Sequence, residues 1–129
     1  LMGVYYTAKF AIPHMKAAGG HIILMGSGLG HRAGDNIHSA YGAAKAGAWM
    51  LVRSLAKELK PYRICVNELM PGVVHTGRTP DATRPADSPL HAEWIKTPAD
   101  VVPLALFIAT QPLTGPTGQS FSLMRRDSQ

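Results

Sequence analysis

The sequence SAYGAAKAGAWMLVRSLAKELKPYRICVNEL, residues 39–69, places a long amphipathic helix directly before a short apolar strand. In residues 39–60, apolar side chains recur at spacings of three and four, which is typical of a helix with one buried face. We expect Ser39 to cap the start of this helix and Pro61 to end it. Residues 63–69 then form a strand. The apolar positions of the helix are Ala44, Ala48, Leu51, Val52, Leu55 and Leu59.

Further helices and strands flank this unit on both sides. Residues 2–18 carry apolar side chains at helical spacing, and Pro13 lies inside the pattern, where it should break the hydrogen-bond ladder. Residues 21–25 form a short apolar run that fits a strand buried on both faces of a parallel sheet. Residues 97–110 begin with Thr-Pro, which is typical of a helix start, and residues 119–123 form a last strand.

The order of these elements predicts the fold class. Strands that alternate with helices favour an α/β fold with a parallel sheet and right-handed crossovers. Residues 70–96 contain four prolines and are expected to form an irregular lid. A sheet of three strands would leave the first strand with a bare apolar edge, and the sequence begins with Leu1. We therefore expect these residues to be part of a longer domain.

Composition and charge argue against several classes of partner and of site. The sequence has 13 Lys and Arg against 8 Asp and Glu, but the basic residues are scattered, so neither nucleic acid nor a membrane surface is expected as a partner. The longest strongly apolar run, residues 101–109, is too short to cross a bilayer. The single cysteine, Cys65, excludes an internal disulfide and suits a reducing cytoplasm. The six histidines lack ligand spacing, so no metal site is expected.

Tyr41 and Lys45 lie one helical turn apart, so both side chains should share one face of the helix. An isolated tyrosine, with a pKa of about 10, transfers protons poorly at neutral pH. A nearby ammonium favours the phenolate, so Lys45 is expected to lower the pKa of Tyr41. This pair is therefore a candidate general acid/base.

Three segments are expected to converge on this pair. Ser27 lies fourteen positions before Tyr41 and follows the first strand, while Pro71-Gly72 and Thr76 follow the second. Sites in α/β sheets form outside the carboxyl ends of the strands, so these residues should meet at one crevice. The Ser27 hydroxyl could hold a substrate oxygen near the phenol. The set suits proton transfer at a carbonyl or alcohol oxygen, coupled to hydride transfer with a cofactor.

These motifs together resemble the catalytic half of a short-chain dehydrogenase/reductase. The resemblance rests on Ser27, thirteen intervening residues, Tyr41-x-x-x-Lys45, then Asn67 and the motif PGxxxT at 71–76. It covers essentially the whole chain, and the segments 54–59, 63–67 and 117–119 agree with it. It implies an α/β fold that is the C-terminal half of a Rossmann-like doubly wound parallel sheet, with three strands and flanking helices. Residues 1–129 would be the catalytic part of a single domain whose N-terminal dinucleotide-binding half is absent.

The resemblance also implies roles. Tyr41 would be the catalytic acid/base, Lys45 would lower its pKa and bind the nicotinamide ribose, and Ser27 would orient the substrate. The cofactor would be NAD or NADP and the substrate a small carbonyl or alcohol. The first helix and the Tyr41 helix would pair subunits in a homodimer or homotetramer in the cytoplasm. The implied cofactor-binding residues are Tyr41, Lys45, Pro71, Gly72, Val74 and Thr76.

Departures from the family pattern leave alternatives open. The family's Gly-rich pyrophosphate turn is absent, and GSGLG at 26–30 lacks the third glycine of a dinucleotide fingerprint because His31 stands there. We interpret that stretch as the loop of the catalytic serine. One alternative is a catalytically inert, truncated polypeptide. Another is a non-redox binding or regulatory relative on the same fold.

Six further residues receive structural interpretations beside functional ones. Asn67 is interpreted as a structural hydrogen-bonder and Cys65 as a small core residue. His31 and His38 flank the serine loop, where they could contact substrate or simply lie in solvent. Two tryptophans complete the set: Trp94 could shape the substrate pocket, and Trp49 is interpreted as helix packing or subunit contact.

Overall fold

The computed structural model describes residues 1–33, 38–76 and 94–124. Three strands form one sheet in the order β1 (Gly20–Met25), β2 (Ile64–Met70) and β3 (Ser120–Ser122). Both pairings are parallel, with Gly20 opposite Ile64 and Glu68 opposite Ser120. The predicted α/β fold with a parallel sheet is confirmed.

Three helices accompany the sheet: α1 (Met2–Met15), α2 (Ser39–Glu58) and α3 (Pro98–Ala109). Helix α1 is shorter than predicted and includes Pro13. It ends at Met15, whose carbonyl accepts a hydrogen bond of 2.8 Å from the N–H of Gly19, a glycine with a left-handed φ of 78°.

The prediction that Ser39 caps α2 is wrong, because Ser39 is already the first helical residue. A capping side chain must lie on the last non-helical residue, and here that residue is His38. The other end matches the prediction: α2 stops at Glu58, and Pro61 lies in the 3-10 helix Lys60–Tyr62 that follows.

The predicted start of α3 at Thr97 is confirmed, and Asp100 closes its first turn. The Thr97 backbone N–H and hydroxyl each donate to Asp100 Oδ2 at 2.7 Å. The side-chain bond from Thr97 is the largest influence that lowers the pKa of the Asp100 carboxyl, followed by the backbone bond and the charge of Lys96.

The core lies between the sheet and the first two helices. All seven residues of β2 are buried, whereas in β1 only Leu24 is buried and Met25 is exposed. The prediction that β1 is buried on both faces is therefore wrong for the residues described, since β1 pairs with β2 on one side and forms the edge of this sheet. The core cluster comprises Ala8, Leu24, Val52, Leu55, Ala56, Leu59, Ile64 and Val66.

Two polar residues of β2 behave as interpreted from the sequence. Asn67 Nδ2 donates to the Pro116 carbonyl at 2.8 Å, and its Oδ1 accepts from the Gln119 N–H at 3.0 Å. Cys65 is buried, its thiol donates to the Leu113 carbonyl at 3.4 Å, and burial raises its pKa. Asn67 thus joins β2 to the segment before β3, and Cys65 is a core residue.

Most of the predicted lid, residues 77–93, lies outside the described residues. The described flanks meet in a parallel bridge between Val74 and Lys96, in which the His75 N–H donates to the Lys96 carbonyl at 2.6 Å. The described flanks of the predicted lid are therefore joined at this bridge. In the described part of the chain, no helix is both long and apolar enough to cross a bilayer.

Candidate active site

Ser27 lies just beyond the carboxyl end of β1, at the start of a short turn. The Gly26 N–H donates to the Leu69 carbonyl at 2.8 Å, so the strand pairing reaches the residue before Ser27. Ser27 then caps the 3-10 helix Gly28–Gly30, with its Oγ accepting from the Leu29 N–H at 3.3 Å. We call residues 27–31 the serine turn.

The serine turn lies directly against helix α2. A Cβ atom at Gly30 would come within 2.8 Å of the Lys45 carbonyl carbon and 2.9 Å of its oxygen. A Cβ atom at Gly42 would lie 3.2 Å from the Leu29 carbonyl oxygen. Glycine at both positions lets the two backbones approach closely, which brings the segment that carries Ser27 onto the helix that carries Tyr41 and Lys45.

Tyr41 and Lys45 share one face of α2, as their spacing predicts. Lys45 Nζ lies 5.7 Å from the centroid of the Tyr41 ring and donates to the Met25 carbonyl at 2.8 Å. This bond ties α2 to the last residue of β1, two residues before Ser27. Tyr41 is 47% exposed, so its hydroxyl can meet a small molecule.

The segment after β2 lies at the same end of the sheet as the serine turn, where the strands have their carboxyl ends. Met25 pairs with Leu69, and Ser27 and Pro71 each follow two residues after these paired positions. Gly72 has a φ of 72°, a left-handed conformation that favours glycine. Pro71, Gly72 and Val74 are half-buried and Thr76 is exposed. The predicted site residues therefore come from three segments at one sheet edge.

Glu68 is a site neighbour that the sequence analysis missed. It is 1% exposed, and its Oε2 accepts hydrogen bonds from His31 Nε2 at 2.9 Å and from the Ser120 hydroxyl at 2.5 Å. The available signal was an acidic residue within the apolar run ICVNELM at 64–70. Carboxylates are rarely buried without partners, so Glu68 required an explanation.

The two histidines and two tryptophans singled out from the sequence differ in their exposure and in their contacts. Both His31 and His38 are exposed residues, but the His31 side chain is only 26% exposed and is bonded to Glu68, so it is not simply solvated. The Trp49 ring packs edge-on against His31, with centroids 5.1 Å apart, which agrees with helix packing. Trp94 is 55% exposed, and its suggested role in a substrate pocket stays a prediction. Across the described ranges, His, Cys, Asp and Glu form no group of three able to hold a metal ion.

Comparisons with known proteins agree on one group of enzymes. A family model described as enoyl-(acyl carrier protein) reductase, of the adh_short_C2 type, matches residues 1–123. The 3-oxoacyl-[acyl-carrier-protein] reductase FabG of Chlamydia pneumoniae is 40% identical over 120 residues, covering 86% of this chain and 46% of that protein. Carbonyl reductase family member 4 of Danio rerio is 36% identical over 117 residues, covering 89% of this chain and 49% of that protein.

Solved structures show the same likeness. A mutant of a Serratia marcescens short-chain dehydrogenase/reductase superimposes with a TM-score of 0.81 at 26% identity, covering 95% of this chain and 51% of that one. The chain thus spans about half the length of these relatives.

Proposed function

This chain belongs to the short-chain dehydrogenase/reductase family, and we propose that it provides the catalytic part of an enzyme that interconverts a carbonyl and an alcohol with NAD or NADP. The observation that carries the proposal is the placement of Tyr41 and Lys45 beside the serine turn. Lys45 Nζ lies 5.7 Å from the centroid of the phenol ring and 2.8 Å from the Met25 carbonyl at the end of β1, and the serine turn packs on the same helix. A helix with only a structural role does not require Tyr41, Lys45 and the serine turn together at the carboxyl ends of the strands.

In the proposed mechanism, Tyr41 moves the proton and Ser27 holds the substrate. The Ser27 hydroxyl donates a hydrogen bond to the substrate oxygen. The Tyr41 hydroxyl gives its proton to that oxygen during reduction and takes it back during oxidation. The Lys45 ammonium stabilises the phenolate that remains after the proton has left.

The residues present also fit a nicotinamide cofactor. Lys45 supplies ammonium protons at the sheet edge for a ribose hydroxyl, beyond the one used on Met25. Pro71, Gly72 and Val74 offer half-buried backbone beside it, followed by the Thr76 hydroxyl. When bound, the nicotinamide donates or accepts the hydride. Nothing in these residues distinguishes NAD from NADP.

We place residues 1–129 in the C-terminal, catalytic part of a single Rossmann-like domain. The coverage of about half of each relative supports this assignment. We also propose that α1 and α2 pair subunits in a homodimer or homotetramer, because both helices expose large apolar side chains. The exposed set on these helices includes Met2, Tyr5, Tyr6, Phe10 and Met50. The lone, buried cysteine is in keeping with a cytoplasmic location.

The decisive experiment is Tyr41→Phe, which removes one hydroxyl and keeps the ring. We expect kcat for carbonyl reduction to fall by about 100-fold or more, because general acid catalysis contributes about 10² to 10⁴. Cofactor affinity should change little. The matched control is Tyr62→Phe, since Lys16 Nζ lies 4.5 Å from the centroid of that exposed ring too.

Two results would count against the proposal. One is full turnover in Tyr41→Phe. The other is an intact wild-type protein, with the dinucleotide-binding half present, that folds but turns over no small aldehyde, ketone or alcohol with NAD(H) or NADP(H), which would favour a non-redox relative.

A further inference from the structure

Glu68 holds a buried carboxylate that the proposed mechanism does not use. The residue lies in β2, the middle strand, and is 1% exposed. Burying a charge is unfavourable unless the charge is paired and hydrogen-bonded. A carboxylate only accepts hydrogen bonds, so His31 Nε2 and the Ser120 hydroxyl both donate to its Oε2. Glu68 therefore joins the serine turn, β2 and β3.

The contacts of Glu68 fall on both sides of Ser27. On the side before Ser27, the carboxyl packs against Gly26 so closely that any side chain at position 26 would collide with it. On the side after Ser27, its hydrogen bond holds His31, which ends the 3-10 helix that Ser27 begins. One carboxyl thus contacts the residue before the serine and holds the far end of the turn.

His31 transmits this contact into the backbone of the turn. Its N–H donates to the Gly28 carbonyl at 3.0 Å, and the Gly30 N–H donates to the Ser27 carbonyl at 2.9 Å. The Trp49 ring from α2 packs edge-on against the imidazole. A fixed His31 side chain therefore limits the motion of the turn and, through it, of Ser27.

We propose that Glu68 and His31 are positioning residues that hold the serine turn so that Ser27 is correctly placed for substrate. The inference rests on the proposed function, because it takes Ser27 as the residue that orients substrate. In this role neither Glu68 nor His31 touches substrate or cofactor. Their effect reaches the reaction through the geometry of Ser27, where small misplacements are costly.

The test compares His31→Ala with His31→Gln, which keeps a side-chain N–H donor for Glu68. His14→Ala, on the exposed end of α1, is the matched control. Amide hydrogen exchange is measured at Gly30, His31 and Arg32, whose N–H groups bond within the turn. The same variants are assayed for kcat and for the KM of substrate and cofactor.

We expect exchange at these amides to be about 10-fold faster in His31→Ala, which corresponds to about 1.4 kcal/mol, and near wild type in His31→Gln. The kcat should fall by a similar factor with the KM for cofactor unchanged.

Three results would overturn the inference: unchanged exchange in His31→Ala, faster exchange with unchanged kcat, or no rescue by His31→Gln in a folded protein. Failure of the proposed function has a different signature. It would leave the wild type without turnover while the exchange result still reports whether Glu68 and His31 hold the turn.

Discussion

Replacing Gly30 by alanine tests the contact between the serine turn and α2. A Cβ atom at this position would meet three backbone atoms of α2: the Lys45 carbonyl carbon at 2.8 Å, its oxygen at 2.9 Å and the Ala46 nitrogen at 3.0 Å. Backbone atoms in the middle of a 20-residue helix cannot rotate away as a side chain would. The added methyl group must therefore push the turn off the helix.

The expected loss of unfolding free energy in Gly30→Ala follows from overpacking. Inserting a methyl group into a well-packed contact destabilises proteins by about 1 to 3 kcal/mol. The matched control is Gly3→Ala, because a Cβ atom at Gly3 would meet nothing within 4 Å and the residue lies in α1. Alanine is favoured over glycine by about 0.5 to 1 kcal/mol in a helix interior, and the gain at Gly3, in the first turn of α1, should be at most about that size. The two substitutions add the same atoms and should shift stability in opposite directions.

The assay is urea unfolding of both variants and the wild type, followed by circular dichroism, with kcat measured alongside. We expect a lower urea midpoint and a lower kcat in Gly30→Ala, and a midpoint at or above wild type in Gly3→Ala. The reasoning is refuted if Gly30→Ala unfolds at the same midpoint as the wild type, because the turn would then not be in contact with the Lys45 backbone.

Two further predictions concern stability. Because its folded-state pKa is lowered from 3.8, the Asp100 carboxyl contributes stability above that pH and loses it as pH falls through the folded pKa. Asp100→Asn should therefore lower the urea midpoint more at pH 6 than at pH 2.5, and an equal loss at both values would contradict this. Asn67→Ala removes two hydrogen bonds, one to the half-buried Pro116 carbonyl and one from the Gln119 N–H, and at about 0.5 to 1.5 kcal/mol per bond it should lower the unfolding free energy by about 1 to 3 kcal/mol, whereas an unchanged midpoint would show that water replaces the amide.

Much of the fold follows from local sequence patterns. The periodicity of residues 39–60 identified α2 to within two residues of its end, and Thr97-Pro98 identified the start of α3. These elements were predictable because helix periodicity, caps and proline act within a few residues of chain. The prediction that Ser39 caps α2 was wrong because His38, rather than Ser39, is the last non-helical residue. From the helical periodicity alone, either residue could have held that position.

Burial was harder to predict than secondary structure. The apolar runs at 21–25 and 64–69 look alike in sequence, yet β2 is buried throughout and β1 is mostly half-exposed. The difference comes from position in the sheet, since β2 has a neighbouring strand on each side in the described structure. The sequence predicted the bare edge of the first strand, but the apolar run alone did not show that its residues would be half-exposed.

Short-range periodicity and fixed motif spacing were enough to predict the order of helices and strands, the parallel α/β class and the candidate set of Ser27, Tyr41 and Lys45. Only the tertiary structure revealed the partners of Glu68. Its contacts, Gly26, His31 and Ser120, lie 42, 37 and 52 positions away in the chain and meet only when three strands align. An isolated acidic residue in an apolar strand signals that a partner is needed, but the chain has to fold before the partner is defined.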